Sequence, residues 1–185
     1  MTNPAPQPLA PRSRYTASAI CRPTLLQTFV PWITLWSDEK ASLDFKPCPY
    51  AEGRMAHWLP TLRTGQPLFR EKHSVRERMA VALALCSVCG RSMKRGDRWV
   101  FVFSAPVLHG HHVLPESPSH KACADKALRL CPALPRLKLK PVRLPPKCTP
   151  GVFYEEFPSD PGFVKTSHLV VDPVTFAKLS VEPVT

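Results

Sequence analysis

Cys86, Cys89, His120 and Cys123 are the side chains whose types and spacing could do chemistry together. Cys86-Ser-Val-Cys89-Gly90 is a turn that aims two thiolates at one point. His120-Lys-Ala-Cys123 places a second pair three residues apart, on one face of a helical turn. Three sulfurs and one imidazole form a tetrahedral set that suits Zn²⁺ and leaves no coordination position open. A closed set is structural, so this site is expected to contribute folding energy and not to catalyse. Two alternatives stay open. His109, His111 or His112 could replace His120 as the fourth ligand. Cys86 and Cys89 could also be a redox pair, although no thioredoxin-like strand–motif–helix pattern surrounds them. Cys131 lies eight residues past Cys123, about 12 Å along a helix, and is expected outside the site.

The elements that must position these ligands can be read from the flanking sequence. Ser74-Val-Arg-Glu77 has the form of a capping box, and Val75, Met79, Ala82, Leu83 and Cys86 recur at helical spacing. A helix from Ser74 would deliver the chain into the Cys86 turn. A hairpin is expected next, with Arg91–Lys94 and Arg98–Phe103 as strands and Arg95-Gly96-Asp97 as the turn. After a loop over 104–118, Ser119 is the expected N-cap of a helix from His120 to Cys131, ended by Pro132. The order of knuckle, hairpin, loop and helix is similar to the treble-clef arrangement. Leu137–Leu144 alternates apolar with basic residues, the pattern of a charged edge strand, with Pro141 excluding a central one. Phe29–Trp36, Met55–Leu62, Val152–Phe157 and His168–Val171 read as extended, and Val174–Leu179 as a short helix. Trp32 and Trp36 are expected core anchors, while His57 and Cys48 are expected to be packed or surface residues. The predicted class is α+β. The expected organisation is a flexible arm over 1–20, an extended irregular segment over 21–73 packed on the core, a zinc-binding core over 74–134, and a basic, proline-rich extension with short strands over 135–185.

Charge points to the partner class. The 185 residues include 25 Lys and Arg against 14 Asp and Glu, a net +11. Such a balance favours polyanions such as nucleic acid. Lys94, Arg95 and Arg98 on the hairpin, with Lys138, Lys140 and Arg143 beyond it, are the candidate contacts. Backbone phosphates would be their targets, giving affinity with little sequence choice. The seven cysteines are an odd number, and residues 1–19 lack an apolar leader. A reducing cytoplasm is therefore expected over a secreted disulfide scaffold. The longest apolar stretch, Leu25–Trp36, falls short of the roughly 20 residues that span a bilayer, so a soluble chain with no membrane partner is expected.

The run Leu85-Cys86-Ser-Val-Cys89-Gly90, then Cys123-Ala124 and Leu130-Cys131-Pro132, with Val30-Pro-Trp-Ile and Trp36-Ser upstream, resembles a group of small uncharacterised proteins of actinobacteria and their phages. The likeness covers residues 30–145. In that group a second Cys-x-x-Cys stands where this chain has His120 and Cys123, so a ligand is kept at each position. The resemblance implies a zinc module and a phage or prophage origin, and no activity. A nucleic-acid-binding accessory or regulatory protein is the leading expectation, with a module binding a host protein as the second. A degenerate HNH-type nuclease is the enzymatic alternative, because His111-His112-Val-Leu-Pro115 looks like the His-bearing strand end of those enzymes. Two departures weigh against it. Asn3 is the only asparagine, and the usual second ligand pair after Cys131 is missing. No phosphate-binding Gly-rich loop, Gly-x-Ser-x-Gly or His-Glu-x-x-His occurs, and Glu155, Glu156 and Asp160 read as a solvated loop. No catalytic residue is assigned.

Overall fold

The computed structural model describes residues 29–40, 44–102, 107–114 and 116–181. The expected arm over 1–20 lies outside them. The chain is mixed α+β. In order it forms β1 (Thr34–Trp36), β2 (Asp44–Pro47), β3 (Met55–Trp58), β4 (Pro67–Lys72), α1 (Ser74–Ala82), β5 (Trp99–Phe101), β6 (Val107–Leu108), β7 (His111–Leu114), α2 (Lys121–Leu130), α3 (Ala133–Arg136), β8 (Pro141–Arg143), β9 (Gly151–Phe157), β10 (Asp160–Val171) and α4 (Pro173–Val181). No helix among the described residues is long and apolar enough to cross a membrane.

β10 organises the largest sheet. β9 pairs antiparallel along one of its edges. Its other edge is shared: β3 pairs parallel at Val164, and β7 pairs antiparallel from Leu169 to Val171. β2 and β6 extend the sheet beyond β3 and β7. The expected segments at Val152–Phe157 and His168–Val171 are thus the ends of one long hairpin. Glu155 and Glu156 stand on a strand of it and not on a loop. Glu155 pairs with Lys165 and His168, and Glu156 with Arg54.

Apolar side chains close three small cores. Val81 of α1 packs with Val100, Leu114, Leu144, Leu169, Val171 and Leu179, joining α1, β5, β7, the end of β8, β10 and α4. Cys48, Ala51, Ala56 and Val164 form a second cluster, and Leu35, Leu59 and Val75 a third. Cys48 is a packed residue, as expected.

Helix α1 departs from its expected form at both ends. Its N-cap is His73, whose Nδ1 accepts from the Arg76 amide at 3.3 Å. Ser74 makes no cap, and Glu77 is directed inward, to Thr166 at 2.5 Å and Lys72 at 3.2 Å. The helix stops at Ala82 because Ala84 takes a left-handed φ of 50°, which lets Leu85 donate to Ala80 at 3.0 Å.

The expected hairpin over Arg91–Phe103 does not form. Ser92 bridges to Leu85, and Trp99–Phe101 pairs with Pro141–Arg143. The reason lies in composition. Arg91–Lys94 offers β5 one apolar side chain, Met93, whereas β8 brings Val142 with Leu144 just after it. The expected Leu137–Leu144 strand shrinks to three residues. Pro132 and Pro135 favour the short helix α3 before it, and Lys138 takes φ 52°. The segment from Pro31 to Ile33 lies along the cysteine turn, with Trp32 donating to Val88 at 2.8 Å and Ile33 to Ser87 at 3.0 Å.

Candidate metal centre

Cys86, Cys89, His120 and Cys123 come together. Their ligand atoms all lie within 4.8 Å of one another. Cys89 Sγ is 3.4 Å and Cys123 Sγ 3.9 Å from His120 Nδ1. A tetrahedron with arms of about 2.0–2.3 Å has edges of about 3.5–3.8 Å, so this group could hold a metal ion with little movement. Cys131, at the C-cap of α2, and the three histidines of the β6–β7 hairpin are not in the cluster.

Local structure explains each position. Cys86 donates its amide to Arg91 O, and Gly90 returns to Cys86 O, each at 2.8 Å, which closes the turn. His120, and not the expected Ser119, is the N-cap of α2, which starts one residue later than expected at Lys121, and Cys123 lies in the first turn. The His120 amide points at Cys86 Sγ, 3.5 Å away. His120 Nε2 donates to Ser92 O at 3.2 Å. A carbonyl only accepts, so Nε2 carries the proton and Nδ1 keeps its lone pair toward the sulfurs.

The thiols titrate against one another. Burial raises Cys86 above its ordinary value, against amide hydrogen bonds from Cys89, His120 and Val88. Burial, with Cys86 and Cys89 beside it, pushes Cys123 up to about 12. Cys89 is lowered: the Arg91 amide and its contacts with Cys86, Cys123 and His120 outweigh burial. Three thiolates this close are stable together only around a cation.

Gly90 sets a tight limit on the turn. Its φ is +73°, and an added Cβ would meet the Trp32 indole at 2.8 Å. Gly90→Ala is therefore expected to cost about 2–4 kcal/mol, from the left-handed backbone and overpacking combined. Thermal melts of the metal-loaded protein measure this, and Trp32 fluorescence should shift with it. An unchanged melt would mean that the turn is more pliant than its contacts indicate.

The candidate nucleic-acid contacts divide into two groups. Lys94, Arg95, Arg98 and Arg143 surround the turn at 94–97. Arg143 Nε donates to Gly96 O at 2.9 Å, while Arg98 donates to Arg95 O and Cys148 O. Lys138 and Lys140 are exposed on the approach to β8 from its other end. Asp97 ties the turn to the metal centre, accepting from the Lys121 amide at the start of α2 at 2.9 Å. Lys121 itself bonds Asp125 and lies 5.0 Å over the Trp99 ring. His112, the histidine compared with a nuclease base, stacks on Phe176 at 3.8 Å.

Sequence reasoning missed Trp32, Ser92 and Asp97 as supports of this site. An aspartate shortly before a Trp strand was the only local signal, and nothing pointed to a cap reaching 24 residues ahead. Compared with family models, curated proteins and solved structures, the chain matches none.

Proposed function

We propose that this chain is a zinc-stabilised nucleic-acid-binding accessory or regulatory protein, encoded by a phage or prophage, with a treble-clef-like centre. The donor set favours zinc: three thiolates and an imidazole fill a tetrahedron, the geometry Zn²⁺ takes in structural sites. The knuckle and the helix start supply the two ligand pairs of a treble clef. The intervening ribbon borrows β8 as its second strand.

The observation that carries the reading is where the charge lies. Residues 84–150 hold 12 of the 25 Lys and Arg but only three acids, Asp97, Glu116 and Asp125. All three are occupied: Asp97 by the Lys121 amide, Glu116 by Lys72 and Asp125 by Lys121. Lys94, Arg95, Lys138 and Lys140 are exposed with no ion-pair partner among the described residues. Such a surface attracts phosphates through counterion release.

With four to six phosphate contacts, affinity for a labelled oligonucleotide should fall by about 10²–10³ between 50 and 200 mM salt. Fluorescence anisotropy reads this directly, and affinity indifferent to salt would refute the proposal. The host-protein alternative relied on residues 137–140 pairing with a sheet edge. That stretch turns at Lys138 and offers no extended edge, so nothing in its geometry favours the second reading.

A further inference from the structure

A cleft of about 340 Å³ opens beside the basic turn. Its apolar lining includes Ala82 at the end of α1, Ala84, Met93 and Val152 of β9, and its polar lining Arg95, Arg98 and Thr149. Every residue that lines it is uncharged or basic. A second cleft shares Cys148 and Thr149 with it, and Asp172 is among its lining residues beside Lys147 and His111. Only the first has one sign of charge.

We infer that this first cleft receives an unpaired nucleobase, so that the nucleic acid bound is single-stranded; the inference rests on the nucleic-acid reading above. Three features carry it. The volume lies in the range of small-ligand pockets, and its lining is mostly apolar residues with two arginines among them. Arginine planes stack on base faces and pair with phosphates. Arg98 is held by Arg95 O and Cys148 O, so one lining guanidinium is fixed in place, while the exposed Arg95 is left to close over a ligand. A base in a duplex is stacked and cannot enter a concave site without being extruded, whereas a base of a single strand can. Ala84 holds its left-handed φ at the cleft wall. That turn carries the chain aside after α1 and leaves the exposed Ala82 open to the cleft.

The test compares three fluorescent probes: an oligothymidylate of about 12 nucleotides, its duplex with oligoadenylate, and an abasic strand of equal length. The intact strand is expected to bind about tenfold tighter than either of the others. Ala82→Trp, which fills the cleft from an exposed position, should erase that preference and leave duplex affinity unchanged. If Ala82→Trp melts early or loses metal, Val152→Trp fills the same cleft from β9. Equal binding of all three probes, or a preference that survives a folded cleft-filling variant, overturns the inference while salt-dependent binding leaves the general reading intact. Failure of every probe to bind at low salt overturns both.

Discussion

Cys123→Ser is expected to lose the bound metal and to lower the melting temperature by about 10 °C or more. Structural Zn²⁺ contributes roughly 10–16 kcal/mol in small peptides at neutral pH. Even a fraction of that exceeds the margin of an ordinary domain, and each kcal/mol moves the midpoint by about 2–8 °C. The loss should be partial in extent. The core around Val81, Leu114, Leu169 and Val171 belongs to α1, β7 and β10 and does not touch the metal ligands, although Val100 and Leu144 reach it from the ribbon. Chelation should therefore unfold the knuckle, the ribbon and α2 first. Hydrogen exchange would find those amides exposed while β9 and β10 stay protected. Cys131→Ser is the control, since Cys131 stands outside the cluster and should leave metal content unchanged. Protonation gives an independent check. Cys86 and Cys123 hold their protons at neutral pH without a metal because both are raised. Loading must then release protons, and affinity must fall as pH falls. Purified protein without stoichiometric metal, or Cys123→Ser melting with the parent, would mean that the cluster holds no structural metal.

Local signals carried the reading of the metal cluster, of α2, of the β9 and β10 segments and of α4. The Cys86–Gly90 turn, the His120–Cys123 spacing and Pro132 each act within a few residues. What stayed hidden was non-local. Trp99–Phe101 finds its partner some 40 residues away at Pro141–Arg143, and pairing at that distance leaves no trace in either segment alone. The stretch from 29 to 73 was hardest to read because its role is to clasp other elements. Trp32 and Ile33 bond the knuckle, and His73 donates its amide to Ile33. Helix α1 misleads for another reason. Arg76, Glu77 and Arg78 are charged, a type most often found at the surface, yet all three are buried. Each serves a different neighbour, with Arg78 donating to His57 O and to Lys165 O, the latter at 2.7 Å.

The buried pair Glu39–Arg76 should be as sensitive as the metal. Both side chains are almost fully buried, at 0% and 2% exposure. Glu39 accepts from both guanidinium nitrogens of Arg76, from the Trp36 amide and from the Arg63 amide, and Arg76 also donates to Thr34 O at 2.9 Å. Removing one partner strands the other charge without water. Arg76→Ala or Glu39→Ala is expected to cost about 3–5 kcal/mol, a large part of the about 5–15 kcal/mol that holds a typical domain together. The exposed pair Lys40–Glu71 is the contrast, and breaking it should cost less than about 1 kcal/mol. Joint replacement, Glu39→Leu with Arg76→Met, should recover part of the loss, because no charge is then left stranded. His73 adds a pH signature. Burial lowers its pKa below the ordinary 6.5, and Arg76 adds to that, against the Pro60 carbonyl and Glu39. A lowered histidine favours the neutral form in the folded state. Its contribution is whole above pH 6.5 and is lost as pH falls through the folded value. Denaturant melts of Arg76→Met, Glu39→Leu and their combination close the thermodynamic cycle. A single variant melting within a degree of the parent would mean that water reaches this pair and that the segment before α1 is not clamped by it.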